Sequence, residues 1–178
     1  KYYLMKLKKY LYKKVQSTNN TAIRLINKGY KKGAILTECQ SKGRGRHVNK
    51  WISRKGNLFM SLFFEINNKL SLKKITKLNI AIIKKIISKK VKSKVSIKLP
   101  NDILIDKKKV CGILQEIIFK NDIKFLIVGI GINIFNSPNV NKYETTYLNN
   151  YSKKKINKIK LFKEINLKYE KNINFFKK

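Results

Sequence analysis

The chain has 178 residues, 43% of them hydrophobic and 11% aromatic, which suits one domain with a proper core and excludes a disordered chain. Its formal charge is +34, from 43 Lys and Arg against 9 Asp and Glu, and such a number first suggests a nucleic-acid binder. Lys, Asn and Ile nevertheless recur in nearly every segment, as a codon bias toward A and T would produce, and only Arg24, Arg44, Arg46 and Arg54 carry the two-pronged guanidinium that base readers favour, so the charge predicts a salt-sensitive, nonspecific attraction to polyanions and no specific nucleic-acid role.

Taken in chain order, Tyr10 to Val15 alternates weakly and predicts a short strand. Ser17-Thr18-Asn19-Asn20 reads as a helix start, because a hydroxyl there can accept from the first free backbone N–H groups. Ala22, Ile23, Leu25 and Ile26 supply the buried face of that helix, and Gly29 fits its end. Gly33 to Glu38 predicts a buried strand, followed by a polar stretch from Gln40 to Gly56 that is too long for a hairpin turn. Asn57 to Phe64 predicts another strand, and Leu72 to Val91 has the apolar spacing of a long amphipathic helix. Strands follow at Val95–Leu99, Ile103–Ile105 and Val110–Phe119, with Asp106 to Lys109 as a turn, and then at Ile123–Ile134. From Ser152 onward, Ile156, Ile159, Leu161, Phe162, Ile165 and Leu167 predict a terminal helix. The order of elements predicts an α+β fold with a mixed, mostly antiparallel sheet and helices packed on it.

Several features narrow the chemistry. Cys39 and Cys111 lie apart and the single His47 cannot complete a zinc site with them, so two free thiols in a reducing compartment are expected. No run approaches the ~18 apolar residues of a membrane span. Lysines interrupt each apolar stretch of the opening KYYLMKLKKYLYKK, a poor secretory signal; the cytoplasm is the expected location.

The Gln40-Ser41-Lys42-Gly43-Arg44-Gly45-Arg46 stretch concentrates two of the four Arg and two of the eight Gly. Its glycines let backbone approach a ligand and its guanidinium forks match phosphate or carboxylate, so it reads as an anion clamp or as a solvated Gly-Arg loop that touches RNA. In Lys98-Leu99-Pro100-Asn101-Asp102, Asp102 is either the end of a turn or a carboxylate placed for Mg²⁺ or a proton. Lys109-Val110-Cys111-Gly112 opens an apolar strand, and strict alternation would put Lys109 and Cys111 on one face. Gly129-Ile130-Gly131-Ile132-Asn133 is not a dinucleotide fingerprint; its two small residues make room for a ligand or for packing. Trp51, the sole Trp, either stacks on a flat ring or anchors its loop.

The series Ser17-Thr18-Asn19, Gln40-x-x-Gly43-Arg44-Gly45-Arg46, Trp51-x-Ser53 with Gly56-Asn57-Leu58, Lys98-x-Pro100-Asn101-Asp102, Lys109-x-x-Gly112-Ile113-Leu114 and Gly129-x-Gly131-Ile132-Asn133 resembles the catalytic domain of bacterial biotin–protein ligases, from about Val15 to Asn133. The resemblance implies the biotin ligase fold, related to lipoate ligases and class II aminoacyl-tRNA synthetases. It implies ATP and Mg²⁺ as cofactors, biotin as substrate and a biotin carboxyl carrier protein of acetyl-CoA carboxylase as partner, in a monomer or homodimer. Residues 1–178 would be the catalytic domain alone, without the N-terminal DNA-binding domain and small C-terminal β domain of many relatives.

The resemblance also implies site roles. Biotin would be bound by Ser17, Thr18, Asn19, Gln40, Gly43, Arg44, Gly45, Arg46, Lys109 and Gly112. The nucleotide would meet Arg46, Trp51, Asn101 and Asn133, and Lys109, Arg44, Arg46 and Asp102 would be catalytic, with Mg²⁺ arriving with ATP near Asp102 and no metal held by a side-chain motif. His47, Leu99 and Cys111 depart from the residues many relatives carry there. A lipoate or octanoate transferase of the same fold, and a degenerate basic relative that binds nucleic acid, are the competing readings.

Overall fold

Alternation along the strands decides this fold, because successive side chains serve opposite faces of a sheet. The computed structural model describes residues 6–47 and 49–177, the side chain of residue 177 excepted; the first five residues of the lysine-rich opening lie outside them. In chain order the elements are β1 (Lys9–Val15), α1 (Thr18–Asn27), β2 (Lys32–Gln40), β3 (Leu58–Glu65), α2 (Leu72–Ser88), β4 (Val95–Lys98), β5 (Asp102–Ile105), β6 (Lys108–Lys120), β7 (Ile123–Ile132) and, after a short 3₁₀ turn at Leu148–Asn150, α3 (Lys158–Lys177). The described residues form one seven-stranded sheet in the order β1-β2-β3-β7-β6-β5-β4. Only β1 and β2 run parallel, joined through α1, and every other pair is antiparallel. This is the mixed, mostly antiparallel α+β architecture expected.

The two faces are covered unequally. On one, α2 and α3 pack against Met60, Leu62, Phe64, Ile113, Leu126, Val128 and Ile130 in a large continuous core. On the other, the ten-residue α1 covers only Ile35, Phe63, Phe125 and Ile127 with Ala22, Leu25 and Ile26. The bare remainder of that face becomes the site. α1 starts where expected: the Ser17 hydroxyl accepts from the Asn20 backbone N–H, and Gly29, at φ 95°, supplies the left-handed residue past the helix end.

The terminal helix begins later than expected, because Asn157, not Ser152, caps it: its side chain accepts from the Lys160 N–H at 2.9 Å. The core between α2, α3 and the sheet holds one buried polar chain, in which the Tyr169 hydroxyl donates to Asn79 Oδ1 at 2.9 Å and Asn79 in turn donates to Gln115. Tyr169→Phe would leave an acceptor with one partner fewer at a fully buried position, so stability should fall by about 1–2 kcal/mol in urea denaturation with an unchanged m-value. No loss, or a gain, would mean that the hydroxyl contributes nothing to the fold.

The hairpins are tight. Asp106 and Lys107 connect β5 to β6, and Asn121 and Asp122 connect β6 to β7; all four have positive φ, from 47° to 66°. Two central residues of positive φ make the type I′ turn whose twist matches the strands it joins. The expected turn from Asp106 to Lys109 therefore shrinks to two residues, and Lys109 belongs to β6.

Candidate active site

The uncovered part of the sheet presents small side chains. Three successive rows cross it: Phe63, Ile127 and Glu116; Ser61, Gly129 and Leu114; Phe59, Gly131, Gly112 and Asp102. The first row lies against α1, and the next two give a floor on which three glycines make room for the Asn19 amide and the Trp51 ring. A cavity of about 680 Å³ opens above it, lined among others by Thr18, Gln40, Arg46, Trp51, Asp102 and Lys109. That volume suits a ligand of cofactor size.

A bulge in β6 sets the cation of this cavity. Ile103 pairs with Cys111, but Leu104 pairs with Lys109, so Val110 is an extra residue against β5. Val110 and Cys111 consequently both enter the core, while Lys109 and Gly112 face the cavity. The alternation that would have put Lys109 and Cys111 on one face is broken, and Cys111 is no site residue: burial pushes its thiol well above the usual thiol range. Strand-like pairing also fixes the Lys109 backbone on the far side, its N–H donating to Glu144 O at 2.9 Å and its carbonyl accepting from Thr146 N at 2.8 Å. The ammonium meets Asp102 Oδ1 at 2.9 Å and lies 5.5 Å from the Trp51 ring and 4.9 Å from the Tyr143 ring.

The stretch from Gln40 to Gly56 is not an open loop. Arg44 bridges Lys50, Gly45 N–H donates to Asn49 O at 2.8 Å and Trp51 N–H to Gly43 O at 3.0 Å, so the chain doubles back as a short tongue. Gly43 permits this close return, since a Cβ there would lie 2.4 Å from the Trp51 carbonyl. Trp51 lies against the glycine floor: a Cβ on Gly131 would come within 2.4 Å of its ring, and one on Gly112 within 2.6 Å. Its buried indole N–H has no hydrogen-bond partner among the described residues. Arg44 and Arg46 are both exposed, but they differ in partners. Arg44 is bound to Glu116 and Asn20, whereas Arg46 makes no side-chain hydrogen bond or ion pair among the described residues.

A polar wall faces Lys109 from the α1 side. Thr18 N–H and hydroxyl donate to Gln40 Oε1 at 2.9 and 3.2 Å, and Gln40 Nε2 donates to Ser53 at 3.1 Å. Ser61 Oγ is within 2.7 Å of Thr18 Oγ1 and 2.5 Å of Asn19 Oδ1. Asn101 is tied to Ile113 by its backbone carbonyl and side-chain amide. Asn133 is 2% exposed and donates to Thr146 O at 3.0 Å, next to Asn57, which accepts from the backbone of Ile134 and Phe135. The structure thus gathers Ser17, Thr18, Asn19, Gln40, Arg44, Gly45, Arg46, Trp51, Asn101, Asp102, Lys109, Gly112 and Asn133 around one cavity, with Gly43 at the root of the tongue. Sequence reasoning marked Ser53 as a motif position without a role and missed Ser61 and Glu116, although the parity of Gly112 extended by two steps leads to Leu114 and Glu116.

The biotin/lipoate A/B protein ligase family matches residues 11–133. The chain belongs to this family. The bifunctional ligase/repressor BirA of Bacillus subtilis is 36% identical over 129 residues, covering 70% of this chain and 40% of that protein. The chain thus spans less than half the length of this curated relative. Among solved structures, the biotin protein ligase of Aquifex aeolicus in complex with biotin and ATP superposes with a TM-score of 0.78 at 28% identity, covering 96% of this chain and 72% of that one. The biotin protein ligase of Leishmania major in complex with biotinyl-5-AMP gives 0.74 at 25% identity, covering 95% and 79%. The β-bulge, the glycine floor and the tongue of this family member all lie within the matched segment.

Proposed function

We propose that this chain is the catalytic domain of a biotin–protein ligase: it joins biotin to ATP as biotinyl-5′-AMP and passes the biotinyl group to a lysine of a biotin carboxyl carrier protein, that of acetyl-CoA carboxylase, in the cytoplasm. One observation carries the reading: a single cavity combines a flat aromatic surface, the Trp51 ring laid on a glycine floor, with a wall of neutral hydrogen-bonding groups and a preset cation, Lys109. A flat apolar body with an uncharged polar head and an anionic tail fits such a site. The likeness to ligases solved with biotin and ATP supports it.

The chemistry follows from charge. Biotin's carboxylate oxygen attacks the α-phosphorus of ATP, and the bond to pyrophosphate breaks. Both reactants are anions and repel until cations offset them. Lys109, held in a partly buried position, needs no reorganisation to do so, and Arg46, exposed on the tongue, can close over the anions. Among the described residues no three His, Cys, Asp or Glu form a metal cage; a Mg²⁺ that arrives with the nucleotide needs only one or two carboxylates besides phosphate oxygens, which Asp102 in the cavity can offer. When bound, the ion would offset phosphate charge. Trp51, Asn101 and Asn133 would line the nucleotide end, while Ser17, Thr18, Asn19 and Gln40 hold the biotin head. In the second step the carrier's neutral lysine amine would attack the acyl carbon, AMP would leave, and Asp102 would accept the amine's proton.

Labelled biotin, Mg-ATP and a carrier domain should give labelled carrier with this chain, and lipoate should not replace biotin. Absence of both labelled carrier and biotin-dependent pyrophosphate exchange would overturn the proposal. Because Trp51 is the only Trp and lies on the floor, biotin alone should change its fluorescence saturably; a flat titration at millimolar biotin would place the ligand elsewhere.

A further inference from the structure

Two of the nine acidic side chains hold cations of this site. Asp102 holds Lys109 inside the cavity. The other is Glu116 on β6, outside the motifs that carry the family resemblance. Its Oε1 accepts from Arg44 Nη2 at 2.7 Å, and its Oε2 accepts from Arg44 Nη1 at 3.1 Å and Asn19 Nδ2 at 2.7 Å. Arg44 Nη1 also reaches Asn20 Oδ1 at 2.7 Å. The carboxylate therefore takes a two-pronged guanidinium from the tongue and an amide from the start of α1.

We propose that Glu116 is the positioning residue of the tongue: by latching Arg44 to β6 and α1 it fixes the tongue's first half over the cavity and leaves Arg46 as the mobile anion clamp. The assignment of Arg46 rests on the ligase reading; the latch does not. Three observations support the division of labour. The two-pronged geometry fixes direction as well as distance, which a single contact from a long side chain would not. The Glu116 side chain is 20% exposed against 40% for Arg44, so the carboxylate is the fixed, shielded half of the pair and the guanidinium the half that reaches it from the tongue. Arg44, its charge already offset by Glu116, has little left for a substrate anion, while Arg46 two residues on has no partner among the described residues. The latch also continues inward. Asn19 accepts from Ser61, Ser61 contacts Thr18, Thr18 donates to Gln40 and Gln40 donates to Ser53. One chain of polar contacts thus grips the tongue at Gln40, Arg44 and Ser53.

The test compares wild type with Glu116→Gln, Arg44→Gln, the double variant, and Glu164→Gln as a control, because Glu164 pairs with Lys90 away from the cavity. Hydrogen–deuterium exchange at residues 41–53 needs no activity. Glu116→Gln should speed exchange there by about tenfold or more, the loss expected for a charge-assisted bond, with the β3 and β7 amides unchanged and no such change in the control. The double variant should exchange no faster than either single one, since both remove the same contact. In the ligase assay Glu116→Gln should raise KM for biotin about tenfold, with kcat within about twofold, the signature of lost ground-state binding. Unchanged exchange in Glu116→Gln, or effects that multiply in the double variant, would overturn the latch. If wild type proves inactive, the ligase reading falls and the exchange comparison still decides the role of Glu116.

Discussion

Lys109→Gln should slow biotinyl-adenylate formation by roughly 10²- to 10³-fold, the loss typical of removing one preorganised group that stabilises developing charge. The ammonium is held on every side that the chain can reach: Asp102 at 2.9 Å, the rings of Trp51 and Tyr143, and a backbone fastened by Glu144 and Thr146. Its side chain is 14% exposed, so its charge acts through a medium less polar than water. The substitution also leaves the Asp102 carboxylate without its cation, and that carboxylate would then repel the incoming anions. Biotin-dependent pyrophosphate exchange measures the step directly. A rate within threefold of wild type would remove Lys109 from the chemistry.

Gly129→Ala is expected to damage both fold and site. A Cβ at residue 129 would lie 2.3 Å from Asn19 Oδ1 and 3.0 Å from its Cγ. Asn19 is 2% exposed and engaged by Ser61, Leu114 and Glu116, so it has nowhere to retreat. The expected cost is about 1–3 kcal/mol of stability, the range for overpacking a filled interior, together with loss of measurable biotin binding. Gly131→Ala makes the informative contrast. Its Cβ would press on the Trp51 ring at 2.4 Å, and that ring belongs to a tongue that can yield. Binding should weaken there with little change in the urea midpoint. Equal destabilisation by the two substitutions would mean that the tongue is as rigid as the sheet.

Much of this was legible in the residues. The Ser17 cap, the glycine past α1, the apolar spacing of α2 and the two small residues of β7 all act through neighbours close in the chain, where local rules apply. The gathering of the motif residues round one cavity followed the family resemblance. Two features escaped for a physical reason. The bulge at Val110 is visible only when β6 is counted against β5, because nothing in Lys109-Val110-Cys111-Gly112 marks the extra residue. The role of Glu116 depends on partners 72 and 97 residues away, so local rules show an acid in an Ile-rich strand and no more. The closing helix was placed too early because its apolar positions begin at Ile156, before the Asn157 cap.

The bulge at Val110 bears on how this strand can change over time. The unpaired Val110 leaves two ways to close the ladder between β5 and β6, and they differ in parity. Loss of Val110 itself would join Lys109 to Cys111, with Lys109 still opposite Leu104 and Cys111 still opposite Ile103, so each side chain would keep its face. A slip of one residue that paired Val110 with Leu104 would instead set Lys109 opposite Ile105, which is fully buried, and carry the ammonium into the core. The strand start can therefore lose its extra residue and keep its cation, but it cannot absorb that residue into the ladder.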